Sequence, residues 1–327
     1  MTLPRILFLS LGGTITMVPD AGGGITPQLG AAELVASIPE LARVAQIEAR
    51  SPMRLPSPSL SLENLVNVAA EVEQAFRQGF DAAVVIQGTD TIEESAFLLD
   101  LLVGGDKPVV VTGAMRGADA PGADGPANLL AAARIAASPD AHGQGVLVTL
   151  NYDIHSARFV QKMHTTHPSA FESPLTGPLG VIAEGRARFY TRVTRMPCHP
   201  VALGPPPPVP LIKIAMGTQG RLLAALPDLG YQGVVLEGLG AGHVPAEMAP
   251  VMGEIASRIP VVLASRCTTG PVFTSTYGYP GGEIDLIKRG LIPAGFLSGL
   301  KARLLLGLAL RSGPDHAKVR NAFEPYQ

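Results

Sequence analysis

The 327-residue sequence contains no tryptophan, only 5% aromatic residues and only two cysteines. It has no run of lysine and arginine, and its formal net charge is −2, so the composition argues against nucleic acid as a partner. The longest apolar runs are far shorter than the ~20 residues of a membrane helix, so we expect no membrane partner. Cys198 and Cys267 predict neither a disulfide framework nor a CxxC metal site. A reducing cytoplasm fits them best, with one buried disulfide as the alternative.

The composition that is present is typical of a globular protein, with 46% hydrophobic and 16% charged residues. Stretches typical of strands and helices alternate along both halves, which predicts two α/β domains with largely parallel sheets. A proline-rich run over residues 204–210 is typical of a stiff, extended spacer. We therefore predict an N-terminal domain over 1–203, this linker, and a C-terminal domain over 211–327.

A central stretch has the pattern of a strand, a tight turn and a helix. Residues 82–86 are small and apolar, as in a buried parallel strand, and Thr91 and Glu94 have the spacing of a capping box. Thr89 and Asp90 then lie in the turn, at the carboxyl end of a strand, where open α/β sheets bind ligands. For Asp90 alone, a structural Asx turn explains the residue equally well.

Two threonines follow glycine at the end of predicted strands, Thr14 after the first and Thr89 after the central one. In a parallel sheet both would rise from the same edge. A threonine hydroxyl becomes a nucleophile only beside a proton acceptor. A lysine can take that role when a carboxylate such as Asp90 positions it, and Lys162 is the one lysine in the irregular segment 151–176. Taken alone, Lys162 is better explained as a solvated surface residue.

Several familiar motifs are missing, which narrows the chemistry. There is no GxSxG elbow, no phosphate-binding GxxxxGK[ST] loop, and no GxGxxG opening a βαβ unit. The glycine-rich run at 238–242 is interpreted as a tight turn. His164 and His167 have no matching carboxylate or thiol, so we interpret them as ordinary loop histidines. We predict no metal and no organic cofactor.

Five ordered motifs resemble the bacterial-type L-asparaginase family, and the similarity covers nearly the whole chain. The motifs are Leu11–Ile15, Gln87–Ala96, Lys107–Arg116, Ala123–Leu129 and Lys301–Arg303. The resemblance implies a larger N-terminal α/β domain with a mostly parallel sheet and a smaller, flavodoxin-like C-terminal α/β domain. It also implies a small-molecule amide substrate and a homodimer, or a homotetramer of close dimers with sites at the dimer contact.

The resemblance also implies catalytic roles. Thr14 would be the nucleophile that carries the acyl group. Thr89, Asp90 and Lys162 would form a second, proton-handling group. Lys162 is assigned because the segment Phe159–Thr166 aligns with the family's lysine segment.

The implied substrate-binding residues are Ser57, Gly88, Thr89 and Asp90. Ser57 would contact the substrate α-carboxylate, and Asp90 would bind its α-ammonium group. Backbone N–H groups near the two threonine turns are the expected oxyanion donors.

The sequence departs from the family pattern at three positions. Ile25 stands where the family's lid usually has a tyrosine, and Pro58 follows the serine where a glutamine or similar polar residue is common. Leu11 replaces a threonine or another small residue, which is a milder change. The first two changes remove polar contacts near the substrate, each worth on the order of 1 kcal/mol.

These features predict an amidohydrolase that converts L-asparagine to L-aspartate and ammonia through an acyl-threonine. The alternative is the same chemistry on a less polar amide. A binding protein without turnover ranks third, because no catalytic residue is missing.

Overall fold

The computed structural model describes residues 2–19, 25–27, 29–199, 207–311, 313 and 315–327. The chain forms two compact units, Met1–Cys198 and His199–Gln327. Of the predicted linker 204–210, residues 204–206 lie outside the described residues, and the sequence-based domain boundaries stay a prediction.

The first unit consists of strands on a large sheet, two short hairpins and four helices among its described residues. Its strands are β1 (Arg5–Ser10), β2 (Met17–Pro19), β3 (Ile25–Pro27), β4 (Gln46–Arg50), β5 (Ala82–Ile86), β6 (Val109–Thr112), β7 (Val146–Leu150), β8 (Asp153–Ser156), β9 (Gln161–Lys162), β10 (Phe171–Glu172), β11 (Gly180–Ala183) and β12 (Arg186–Phe189). Its helices are α1 (Ala31–Ala36), α2 (Leu62–Arg77), α3 (Ile92–Leu102) and α4 (Gly125–Ala136).

The main sheet of this unit has the order β12-β11-β8-β7-β6-β5-β1-β4 over the described residues. Strands β4, β1, β5, β6 and β7 are parallel, whereas β8, β11 and β12 continue the sheet antiparallel. Every residue of β5, β6 and β7 is buried, because helices cover both faces of a parallel sheet. One face carries α1 and α4, and α3 packs near β6 and β7.

The irregular excursion predicted over 151–176 is partly wrong. It contains β8, which joins the main sheet, and the separate hairpin β9–β10. Strands β4, β11 and β12 were also not predicted. Residues of β12 alternate between exposed and half-buried, so this edge strand lacks the apolar run that marks the central ones.

The predicted capping box at Thr91 is also wrong. Helix α3 begins at Ile92 with Thr91 as its N-cap residue, but the Thr91 side chain caps no backbone N–H of the helix. Its hydroxyl instead donates to the carbonyl of Ser57 at 3.3 Å. The Thr91 hydroxyl therefore forms a tertiary hydrogen bond and not the helix cap that the local pattern predicted. Asp124 likewise precedes α4 at its N-cap, but without a side-chain cap.

The second unit is built on a four-stranded parallel sheet over its described residues, in the sequential order β13-β14-β15-β16. These strands are β13 (Leu211–Lys213), β14 (Val234–Gly238), β15 (Val261–Ser265) and β16 (Ile292–Pro293). The helices are α5 (Arg221–Ala225), α6 (Ala249–Ala256), α7 (Glu283–Lys288), α8 (Gly299–Leu310) and α9 (His316–Phe323). The predicted α/β class is confirmed, although β16, α7 and α9 were not predicted. Among the described residues, no helix combines the length and apolarity required to cross a bilayer.

Candidate active site

The site lies where β1 and β5 end side by side. The two strands are parallel neighbours in register, with Ser10 opposite Ile86. The turns that follow them approach each other so closely that a Cβ atom on Gly13 would overlap the backbone N and Cα of Gly88. Gly13 also has φ 90°, in the region that favours glycine. Only glycine therefore allows the two turns to meet.

Each of these turns carries one of the two threonines. Thr14 opens a 3₁₀ turn, Thr14–Thr16, that is closed by the Thr16 hydroxyl donating to the Gly13 carbonyl at 2.7 Å. Thr89 opens the second, Thr89–Thr91, and is 6% exposed. The Thr14 side chain is half-buried. Both hydroxyl-bearing turns therefore lie at the same edge of the sheet, as the sequence predicted.

Lys162 reaches this edge from β9. Its Nζ donates to Thr89 Oγ1 at 2.9 Å and to Asp90 Oδ1 at 2.6 Å. The lysine side chain is 14% exposed, whereas that of Asp90 is 61% exposed. An ion pair with one partner so exposed contributes little to stability. The structure brings Lys162 to two adjacent residues, Thr89 and Asp90, that lie more than 70 positions before it in the sequence.

Ser57 forms a hydrogen bond with the same turn. It is 3% exposed, and its Oγ accepts the backbone N–H of Asp90 at 3.2 Å. A Cβ on Gly88 would lie 2.7 Å from that Oγ, so Gly88 leaves room for the serine side chain. Pro58 follows on the surface, within the 3₁₀ turn Ser57–Ser59, and offers no N–H.

Two backbone hydrogen bonds of Leu11 join the end of β5 and the segment before Ser57 to the end of β1. Leu11 donates its N–H to Ile86 O at 2.8 Å, and its carbonyl accepts the N–H of Leu55 at 2.8 Å. The Leu11 side chain is fully buried. The departure from the family pattern at Leu11 therefore lies in the core. Ile25 lies on β3, where its backbone is paired with Pro19.

Sequence reasoning missed two polar residues behind the site. Gln87 is fully buried, and its Nε2 donates to Gly88 O at 3.3 Å and to Thr91 Oγ1 at 3.2 Å. Asn128 is also buried and donates to Gly113 O at 2.9 Å. A polar residue directly after a buried strand was the available signal for Gln87.

A third missed residue is His155, on β8. It is 2% exposed, and its Nδ1 lies 3.0 Å from Ser173 Oγ. Burial lowers the pKa of His155 to about 4, so the imidazole is neutral near pH 7. Periodicity alone offered no signal, because the long-range contact to Ser173 gives this histidine its surroundings.

No cluster of three or more histidine, cysteine, aspartate or glutamate residues suited to a metal occurs in the described ranges. The rings of His164 and His167 stack with centroids 3.6 Å apart, and His164 Nδ1 accepts the N–H groups of Thr166 and His167. This is an ordinary loop arrangement. Cys198 and Cys267 are free and exposed, which removes the disulfide alternative.

The sequence profile described as "Asparaginase, N-terminal" matches residues 5–195. The profile of the glutaminase/asparaginase C-terminal domain matches residues 208–323. The chain belongs to the asparaginase family. The resemblance drawn from the five motifs is therefore confirmed, as is the amidohydrolase class it implied.

Relatives in the asparaginase family match along almost the full length. A probable L-asparaginase from Deinococcus radiodurans is 39% identical, covering 98% of this chain and 98% of the relative. A glutaminase-asparaginase from Pseudomonas fluorescens is 32% identical, covering 99% and 91%. The crystal structure of a probable cytoplasmic L-asparaginase from Campylobacter jejuni superposes with a TM-score of 0.88 at 34% identity, covering 98% and 99%.

Proposed function

We propose that the protein hydrolyses the side-chain amide of L-asparagine to L-aspartate and ammonia through an acyl-threonine intermediate. The observation that carries this proposal is the double contact of Lys162 Nζ with Thr89 Oγ1 and Asp90 Oδ1, beside the turn that holds Thr14. The names of the full-length relatives support the choice of substrate.

Thr14 acts as the nucleophile in this mechanism. Its oxygen forms a bond to the amide carbon while the carbonyl π electrons move to the oxygen, which backbone N–H groups of the two turns stabilise. When the tetrahedral intermediate collapses, the C–N bond breaks and the nitrogen leaves as ammonia, carrying the proton that Thr14 lost. Water then attacks the ester, returns a proton to the Thr14 oxygen and releases aspartate.

Thr89, Lys162 and Asp90 handle protons in both steps. Lys162 Nζ contacts the Thr89 hydroxyl, so a proton can pass between these two groups and the reacting atoms. Asp90 holds the amine at 2.6 Å. In this proposal each member of the group therefore has a separate task.

The substrate end is recognised by Ser57 and Asp90. Because Ser57 Oγ accepts the N–H of Asp90, its own O–H proton is available to donate to an α-carboxylate oxygen. The exposed Asp90 carboxylate matches an α-ammonium group. Gly88 and Thr89 would border the same substrate through their backbone.

The test follows ammonia release from asparagine. Thr14→Ala should abolish turnover, and Lys162→Met should lower kcat by roughly 10²-fold or more, as expected for loss of a proton-transfer group. Rapid acid quench and peptide mass spectrometry should find an aspartyl group on the peptide that contains Thr14. Full activity in either variant would refute the assignment of that residue.

A second candidate is the same reaction on a less polar amide, favoured by Ile25 and Pro58 at positions where the family pattern has polar residues. Values of kcat/KM for asparagine, glutamine and a panel of apolar amides decide between the two. A high value for asparagine removes the second candidate. Calorimetric binding without product would instead favour a non-catalytic binding protein.

The assembly and location are part of the proposal. We infer a homodimer or a homotetramer of close dimers, which light scattering on the purified protein tests directly. A monomer would contradict it. Two exposed, free thiols suit a reducing cytoplasm, which cell fractionation tests.

A further inference from the structure

The position of Lys162 depends on a very short hairpin. Strands β9 and β10 are two residues each, and Lys162 pairs with Phe171 across them. An isolated two-stranded hairpin is marginally stable at best. Yet Lys162 Nζ must hold two hydrogen bonds at 2.6 and 2.9 Å, and a misplacement of about 1 Å can cost 10²-fold in rate. The hairpin therefore needs support from the main sheet.

One such support is the contact between His155 and Ser173. Ser173 directly follows β10, and His155 lies on β8 within the main sheet. Their side chains are 2% and 5% exposed, and Nδ1 and Oγ are 3.0 Å apart. A hydrogen bond in such a low-dielectric setting is strong and directional. It ties the end of β10 to a strand held in the eight-stranded sheet.

The second imidazole nitrogen indicates that His155 is not optimised for stability. His155 Nε2 is buried and has no hydrogen-bond partner in the part of the chain that the structure describes. In either tautomer of the ring, one buried polar atom is left unpaired, which an apolar side chain of similar size would avoid. Residues that break a packing rule in this way are expected mainly at functional sites.

We propose that His155 is a positioning residue for Lys162, acting through its hydrogen bond to Ser173 and the β9–β10 hairpin. This inference rests on the proposed role of Lys162. It assigns His155 no proton transfer, because the buried ring is neutral over the working range near neutral pH. Its effect is geometric, and it should change the chemical step more than substrate affinity.

The test compares steady-state kinetics of asparagine hydrolysis in the full-length protein. His155→Leu and Ser173→Ala should each lower kcat about tenfold or more while KM stays within about twofold. His155→Asn places a polar atom near the position of Nδ1 and should recover most of kcat. The double variant His155→Leu/Ser173→Ala should be no worse than the poorer single variant, since both remove one interaction.

The matched control is Thr149→Val on the neighbouring strand β7. Thr149 is fully buried, and its hydroxyl has no partner within the described ranges, so the substitution preserves shape without touching the hairpin. Its kinetics should equal those of the wild type. Ser173→Ala alone carries the test if His155→Leu does not fold, because it removes only one hydroxyl.

Distinct outcomes separate this inference from the proposed function. If Lys162→Met keeps the wild-type rate, the proposed function fails. If Lys162→Met loses activity while Ser173→Ala keeps wild-type kcat, only the positioning role of His155 is overturned. A matching loss in His155→Asn, or a loss confined to KM, would also overturn it.

Discussion

The buried imidazole of His155 should make the stability of the first unit depend on pH. Burial lowers its pKa from an ordinary value of 6.5 to about 4 in the folded protein. Between these two values the unfolded chain binds a proton that the folded protein rejects. The free energy of unfolding therefore has its full value, as far as His155 is concerned, above pH 6.5. It decreases progressively as the pH falls from 6.5 towards 4.

The magnitude follows from the difference between the two pKa values. At about 1.4 kcal/mol for each tenfold change in proton affinity, the full loss is about 3 kcal/mol, of which about 2 kcal/mol is reached by pH 5. Asp153, on the same strand, acts in the opposite direction, because burial raises the pKa of its carboxyl. Its contribution is common to the wild type and to a His155 variant, so the difference between the two isolates the histidine.

The assay compares wild type with His155→Asn, which cannot titrate, by urea unfolding at pH 7.5, 6 and 5. Pulsed hydrogen exchange on peptides spanning β7 and β8 assigns the free energy to the correct unit, because a two-unit chain has no single unfolding transition. The exposed His142, changed to asparagine, controls for loss of a histidine elsewhere. If wild type and His155→Asn lose stability in parallel down to pH 5, the reasoning is refuted.

Two further substitutions test the packing around and away from the site. Gly13→Ala should lower kcat/KM by about 10²-fold, because its Cβ would overlap the Gly88 backbone at a φ of 90° and displace one turn; an unchanged value would show that the turns can separate freely. In the second unit, burial alone would raise the pKa of Glu283, but N–H groups of Tyr277 and Thr276 at 2.6 and 2.7 Å outweigh it and lower the pKa. Glu283→Gln should therefore cost about 2 kcal/mol of local stability at pH 7, measured as faster hydrogen exchange of those two amides, and the wild type should lose the same advantage as pH falls below 4.5. Exchange rates of these two amides in Glu283→Gln that equal those of the wild type, both at pH 7 and below pH 4.5, would contradict this prediction.

The sequence by itself determined the central strands and the placement of the two threonines. A strand buried on both faces must be apolar throughout, so β5, β6 and β7 are visible as local runs. Glycine followed by threonine at two strand ends predicted two hydroxyls at one sheet edge, and the motifs identified the family.

Only the tertiary structure decided the contacts that are made there. The family resemblance assigned Lys162 to the group of Thr89 and Asp90, but no local pattern did, because Lys162 is 73 residues from Thr89 and lies on a two-residue strand without an apolar run. The Thr91 hydroxyl, which the local pattern assigned to a helix cap, donates a hydrogen bond to the Ser57 carbonyl instead. The role inferred for His155 depends on its contact with Ser173. The physical reason is common to all three. Burial and backbone periodicity can be recognised from neighbouring residues in the sequence. A side-chain hydrogen bond between distant segments depends on where the fold places those segments.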